Sequence, residues 1–143
     1  MAKTVNVKWI KERQFIGVDD TDHAIVMSSQ DESNNIGMNP SQLLLIALGG
    51  CTSYDVVSIL EKKRQTLTSL EVTVTGEQDP DPPWTYRKIH IHFELKGPNL
   101  NPKAVQDAIV LSEKKYCSVA ATIRGAVDIT SDYHITDDKG EIE

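Results

Sequence analysis

The feature that most constrains the fold is a strictly alternating stretch of sequence. Within residues 89–96 every second side chain is apolar, and those between are His, Glu or Lys. A period of two is typical of a strand with one buried and one solvated face. Another alternating stretch precedes it, with apolar Leu70, Val72 and Val74. We predict that the two form a long antiparallel pair, joined by a proline-rich loop at residues 79–83.

A long helix is predicted before this strand pair. Asn39 is a favoured N-terminal capping residue, and Pro40 suits the first helical position. The helical pattern continues to about Lys63. Its early part, residues 43–48, is apolar on all sides, which is typical of a helix buried on most of its surface. Two glycines follow directly before Cys51, and they allow either close packing against another backbone or clearance beside the sulfur.

A second helix is predicted after the strand pair. Asn101 is its capping residue, Pro102 takes the first helical position, and an apolar stripe follows. Cys117 lies at the end of this helix. We expect residues 118–124 to form one or two further turns before Gly125 stops the helix.

Short apolar stretches at both ends of the chain complete the predicted fold. Residues 5–9, 15–18 and 24–27 are spaced as an antiparallel meander, and a last strand extends from Val127 to about Ile135. The predicted order is βββ-α-ββ-α-β. Because strands and helices do not alternate strictly, we predict an α+β fold in which a curved antiparallel sheet packs on two main helices.

Length and charge limit the classes of protein that fit. We predict a single domain over residues 1–143, with a polar tail at about 136–143. The net charge of -6 disfavours nucleic-acid binding, which needs a basic surface. Every apolar stretch is shorter than the roughly 20 residues of a membrane span, and the N-terminus does not resemble a signal peptide. We therefore expect a cytoplasmic protein that acts on neither nucleic acid nor a membrane.

Cys51 and Cys117 are the two cysteines, one in each helical segment. In a reducing compartment they are either inert core residues or reactive ones. The two helices must pack on the same sheet or on each other, so the sulfurs can approach. Burial within a helix disfavours a thiolate, and Asp55 at i+4 adds negative charge. A reactive Cys51 therefore needs a basic partner.

Two motifs surround these cysteines. Residues 39–43, Asn-Pro-Ser-Gln-Leu, lead through a stretch of small and apolar residues into Gly-Gly-Cys at 49–51. Cys117 is followed by residues 121–129, Ala-Thr-Ile-Arg-Gly-Ala-Val-Asp-Ile. Together, at this separation and with this order of elements, they resemble the OsmC/Ohr family of osmotically induced and organic hydroperoxide resistance proteins. The resemblance extends over most of the chain and favours reactive over inert cysteines.

The resemblance implies a thiol-dependent peroxidase that acts in oxidative-stress defence. Cys51 would be the peroxidatic residue, and Cys117 would resolve its sulfenic acid as a disulfide. A small thiol or dithiol would then reduce that disulfide. The resemblance also implies an OsmC-like fold and an intertwined homodimer with two sites at the subunit interface. We expect neither a metal nor another cofactor.

The sequence departs from the family pattern near both cysteines. Active members carry a Glu directly after the proline of the first motif, paired with an N-terminal Arg that activates the thiolate; here that position is Ser41. The proline that often follows the second cysteine is replaced by Ser118. Arg13 is the arginine of the N-terminal segment, which makes it the candidate activating cation.

Four further side chains are candidates for a functional role. Tyr54 and Tyr116 are candidates to line an apolar substrate pocket, although aromatic residues are more often plain core or interface. His90 and His92 share one face of the alternating strand and could hold a metal. We favour a solvent-facing role for them, because no third ligand is close in sequence.

Two other functions remain open. The substitution at Ser41 is compatible with a non-enzymatic dimer that senses redox state or binds a small apolar ligand. A structural domain with two buried, inert thiols is the remaining alternative.

Overall fold

The structure is a computed structural model that describes residues 1–137. The polar tail predicted at about 136–143 lies outside the described residues except for its first two, which belong to the last strand. The described chain forms two compact units, residues 1–44 and residues 45 onward. It combines strands and helices in the predicted order, so the α+β class is confirmed.

The first unit is a three-stranded antiparallel meander, as predicted. It consists of β1 (Asn6–Lys11), β2 (Gln14–Val18) and β3 (Ala24–Ser28). Within the described chain, no fully buried apolar side chain lies before Leu48, and the buried residues of this unit are polar. Its largely exposed apolar side chains are Val5, Val7, Trp9, Ile10, Ile25, Val26, Ile36 and Met38. The meander therefore leaves much apolar surface uncovered.

Helix α1 spans Pro40–Lys62, close to its predicted bounds. The Asn39 side chain caps it, because Oδ1 accepts hydrogen bonds from the backbone N–H and the hydroxyl of Ser41 at 2.8 and 2.6 Å. The prediction that its early part is buried on most sides is wrong for a single chain. Leu48 is fully buried, but Ile46 is 51% exposed.

The second unit contains the sheet predicted from the alternating stretches. Its strands are β4 (Ser69–Gln78), β5 (Tyr86–Gly97) and β6 (Asp128–Asp137), in the order β4-β5-β6. β4 and β5 are antiparallel as expected, but β6 lies parallel to β5. The chain between β5 and β6 is long enough for the crossover that parallel pairing requires. The alternation within β6 could not indicate this direction, because it is the same for either pairing.

The core of the second unit lies between this sheet and the helices. The apolar side chains of β5, from Ile89 to Leu95, are all 0–1% exposed. They cluster with Val56 and Leu60 of α1 and with residues of the second helix. A Cβ at Gly49 would lie 2.9 Å from Val74 Cγ2, so this glycine allows α1 to approach β4 closely.

α1 is the one helix of the described chain that could cross a membrane by length and composition alone. Its residues Leu48, Val56 and Leu60 are fully buried among apolar side chains of the second unit. α1 is therefore a core helix of the second unit.

The helical segment after β5 is broken where the sequence predicted continuity. α2 (Pro102–Leu111) passes into a single π turn (Ser112–Tyr116), and α3 (Ser118–Ile123) follows. Cys117 lies between them with an extended backbone, φ −76° and ψ 108°. Its N–H donates to the Ser112 carbonyl at 2.8 Å, which closes the wider turn. Cys117 thus lies at the end of one helical segment, as predicted, and also begins α3.

Candidate functional site: a thiol pair and a carboxylate

Cys51 and Cys117 meet in the second unit, and neither forms a disulfide. Their sulfur atoms and a carboxylate oxygen of Asp55 all lie within 4.8 Å of one another. Cys51, in the middle of α1, is half-buried, whereas Cys117 is 1% exposed. The site thus contains one more accessible and one enclosed thiol.

Cys117 owes its environment to the break before α3. Its sulfur accepts a hydrogen bond from the backbone N–H of Ala120 at 3.3 Å and so caps the short helix. Burial, and then the hydrogen bond with Cys51, raise the pKa of the Cys117 thiol to about 11, against the opposing effect of the Ala120 N–H. Cys117 is therefore protonated at neutral pH. Ser118 follows at the first helical position, where proline is also well tolerated.

Asp55 is held beside the sulfurs by a residue that sequence analysis missed. The fully buried Ser112 donates a hydrogen bond from its Oγ to Asp55 Oδ2 at 2.8 Å. Ser112 lies four residues after Ala108, on the otherwise apolar stripe of the second helical segment. A hydroxyl on an apolar stripe indicates a buried hydrogen bond. The sequence did not identify its acceptor, because Asp55 is 57 residues away.

The two candidate pocket residues line one surface groove. Tyr54 and Tyr116 both border an opening of about 660 Å³, together with Asp55. Both rings are largely exposed, and Lys115 Nζ lies 5.3 Å from the Tyr116 ring centroid. Asp55 therefore belongs to both the groove and the thiol cluster.

Arg13 lies in the first unit, at the turn between β1 and β2. Its backbone N–H is 3.5 Å from Asn34 Oδ1, and its side chain is exposed beside Asp31 and Glu32. Its role toward Cys51 stays a prediction. In the second unit, Arg124 ends α3 and donates to the Glu113 carbonyl at 3.3 Å.

A family model described as OsmC-like protein matches residues 31–132, which is more than half of the chain. The chain belongs to the OsmC-like protein family. The matched segment contains both cysteines, β4, β5 and the first half of β6, so the resemblance inferred from the two motifs is confirmed.

Similar proteins agree with this assignment. Protein YhfA of Escherichia coli strain K12 is 39% identical over 129 residues, covering 90% of this chain and 95% of YhfA. The crystal structure of an OsmC-like protein from Mycoplasma pneumoniae has a TM-score of 0.83 at 19% identity, over 95% of this chain and 98% of that one. The organic hydroperoxide resistance protein OhrB of Bacillus subtilis has a TM-score of 0.64 at 14% identity, over 94% and 98%. The OsmC-like fold is thus confirmed, and the family and the close thiols support a redox-related role.

Three histidines of this OsmC-like chain, His90, His92 and His134, form a network on the outer face of the sheet. His90 and His92 each bond Asp132 Oδ1 at 2.8 Å, and Glu94 links His92 to His134 at 2.8 and 3.1 Å. The His90 side chain is exposed and that of His92 half-buried, which agrees with the solvent-facing role predicted for the pair. The parallel pairing of β6 supplies the partners that are distant in sequence.

One group of metal-ligating side chains converges within the described residues: Cys51, Asp55 and Cys117. Thiolate and carboxylate ligands together suit a divalent ion such as Zn²⁺. The expectation of a metal-free protein stays a prediction.

Proposed function

We propose that this OsmC-like protein reduces organic hydroperoxides, with Cys51 as the attacking thiol and Cys117 as the resolving thiol. The observation that carries the proposal is the close thiol pair, whose sulfurs lie within 4.8 Å of each other and are unequally buried. The half-buried sulfur is the one a peroxide can reach. The enclosed thiol is protected from the peroxide and keeps its proton until it is needed.

The reaction proceeds in three balanced steps. The Cys51 thiolate attacks the terminal peroxide oxygen, the O–O bond breaks, and an alcohol leaves after taking up a proton. The resulting sulfenic acid condenses with the Cys117 thiol, so that an S–S bond forms and water leaves. A small thiol or dithiol supplies the two electrons that reduce the disulfide and restores both protein thiols.

The fold supports the second step. The sulfurs lie within 4.8 Å of each other and must approach to about 2.05 Å. Cys117 lies at the junction of the π turn and α3, where the helical hydrogen-bond pattern is already interrupted. A local adjustment at this junction is easier than a shift within the continuous helix α1.

The groove that Asp55 joins to the thiol cluster has charged residues such as Glu61 and Lys62 on its rim, and its apolar lining can hold the organic part of a substrate. Tyr54, Tyr116 and Leu111 provide aromatic and aliphatic contacts, and the groove's volume of about 660 Å³ accommodates a small molecule. Organic hydroperoxides are therefore preferred as substrates over hydrogen peroxide, which gains nothing from such contacts.

We propose that the working form is an intertwined homodimer. The exposed apolar side chains of the first unit and those of α1, such as Ile46 and Val57, need a covering surface. A second copy of the chain supplies it, and the cytoplasm supplies the reducing setting that the resolving cycle requires.

The dimer is tested by sedimentation of the Ile46→Glu variant. A charge at this exposed position of α1 should convert the dimer to a monomer. Val110→Glu is the matched control, because Val110 is an apolar residue of α2 with 39% exposure. A monomeric wild-type protein contradicts the dimer, and an Ile46→Glu variant that stays dimeric contradicts the placement of Ile46 in its interface.

The number of turnovers per chain distinguishes a hydroperoxide-reducing enzyme from a redox sensor. Wild-type protein with an excess of dithiol should consume many equivalents of cumene hydroperoxide, and Cys51→Ser should consume none above background. Cys117→Ser should retain one fast turnover per chain and then slow, because its sulfenic acid lacks the resolving thiol. A wild-type burst of one equivalent that then stops supports the redox-sensing alternative, which Ser41 in place of the family Glu favours.

A further inference from the structure

We propose that the reduced protein binds one Zn²⁺ ion between the sulfurs of Cys51 and Cys117 and the carboxylate of Asp55, with water as the fourth ligand. The same two thiols serve both proposals, but in different roles. They bind a metal ion here, whereas in the peroxidase reaction they donate electrons. Zinc sites with three protein ligands and one open position are a common arrangement.

The ligand atoms are of the right type and nearly at the right separation. Ligands about 2.0–2.3 Å from a tetrahedral zinc ion lie roughly 3.5–3.8 Å from one another. The three candidate atoms all lie within 4.8 Å already. They come from two well-anchored positions, the middle of α1 and the start of α3, so only a small contraction is required.

The supporting hydrogen bonds of a metal site are present as well. Ser112 Oγ donates to Asp55 Oδ2 at 2.8 Å and fixes the carboxylate, which leaves the other oxygen to bind the ion. The Ala120 N–H donates to the Cys117 sulfur at 3.3 Å. Such outer bonds orient ligands and strengthen metal binding.

Charge favours a cation at this place. With both thiols ionised, the three ligands carry three negative charges in a partly buried site. A divalent ion offsets two of them and displaces the thiol protons as it binds. Asp55 also borders the open groove, which gives the ion and its water a path from solvent.

If the protein is the proposed peroxidase, the zinc-bound form is its inactive state. Bound zinc holds both thiolates and slows their attack on peroxide. When a hydroperoxide does react, the two thiolates lose two electrons and form the S–S bond. The hydroperoxide takes these electrons with two protons to give alcohol and water, and Zn²⁺ leaves the oxidised site.

Co²⁺ replaces Zn²⁺ as the spectroscopic probe, because thiolate ligands produce an intense charge-transfer absorption on cobalt. Titration of the reduced full-length protein should saturate at one Co²⁺ per chain, and Zn²⁺ should displace it. Cys117→Ser should lose about half of the charge-transfer intensity. Asp55→Asn should weaken binding at least tenfold, and circular dichroism checks that each variant is folded.

His92→Gln is the control, since it alters the separate network of histidines and carboxylates on the sheet and should leave the cobalt spectrum unchanged. Absence of charge-transfer absorption, or binding that is lost in His92→Gln but kept in Cys51→Ser, overturns the proposal. Peroxide turnover is measured separately in the presence of a strong chelator. Activity in the chelator without a cobalt spectrum rejects the zinc site alone, whereas a cobalt spectrum without activity rejects the peroxidase alone.

Discussion

Ser112 donates a 2.8 Å hydrogen bond to Asp55 and so ties the π turn to the helix that carries Cys51. The bond joins residues 57 positions apart, next to both sulfurs. It fixes the carboxylate where it faces the thiol pair and the groove. The arrangement of the site therefore depends on a residue that carries no reactive group.

Ser112→Ala should lower the free energy of unfolding by about 1–3 kcal/mol, because it leaves a partly buried carboxylate oxygen without its donor. Urea unfolding measures the change. Ser118→Ala is the matched control at an exposed position in the same segment and should change stability by less than about 0.5 kcal/mol. Equal effects of the two substitutions contradict a structural role for the Ser112–Asp55 bond.

Much of the fold followed from local patterns. The alternation around Ile91, the cap at Asn39 and the meander spacing predicted elements that the structure contains. The parallel direction of β6 did not follow, because alternation reports which face is buried and not which way the strand points. The break at Cys117 was missed because its cause, a π turn closed by the Ser112 carbonyl, has no periodic signature.

The site was predictable only in part. The flanking motifs indicated Cys51 and Cys117 as a pair, and the structure brings them together. Ser112 lies 57 residues from Asp55, and Asp132 lies 40 residues from His92. No spacing rule could therefore indicate these contacts. Contacts of this kind depend on packing between elements, which local sequence does not report.

Gly49 and Gly50 give a paired prediction about α1. A Cβ at Gly49 would lie 2.9 Å from Val74 Cγ2, whereas a Cβ at Gly50 would meet no atom within 4 Å. Gly50→Ala should stabilise the folded chain by up to about 1 kcal/mol through helix propensity. Gly49→Ala should lose that gain and destabilise, since overpacking costs about 1–3 kcal/mol. Urea unfolding of both variants checks the difference, and similar stabilisation by both contradicts the close approach of α1 to β4.

The histidine network predicts a pH optimum for stability. Hydrogen bonds with Glu94 and then Asp132 raise the pKa of His92, and the same bonds lower the pKa values of both carboxylates. The raised His92 pKa stabilises the fold below 6.5, and this effect is lost as the pH rises through the folded value. The lowered Glu94 pKa stabilises it above 4.5, and that effect is lost as the pH falls through the folded value.

The contribution of the network is therefore largest between about pH 4.5 and 6.5. The difference in unfolding free energy between wild type and His92→Gln should be greatest in this range and decline on either side. His23→Gln, in an exposed turn outside the network, should not reproduce the profile. A wild-type advantage that stays constant from acid to alkaline pH contradicts this account of His92.

The two thiols should differ in reactivity in a way that depends on pH. At neutral pH iodoacetamide should label Cys51 well before Cys117, because Cys117 is buried and its pKa is raised to about 11. The Cys117 labelling rate should rise about tenfold per pH unit as its thiolate population grows. Peptide mapping by mass spectrometry measures both rates, and labelling in urea, where burial is lost, should make them similar.

In Cys51→Ala the pKa of Cys117 should fall but remain above the ordinary thiol value of 9.0, since burial is the largest cause of the raised pKa. Faster labelling of Cys117 than of Cys51 in the native protein is the result that reverses the assignment of attacking and resolving thiols.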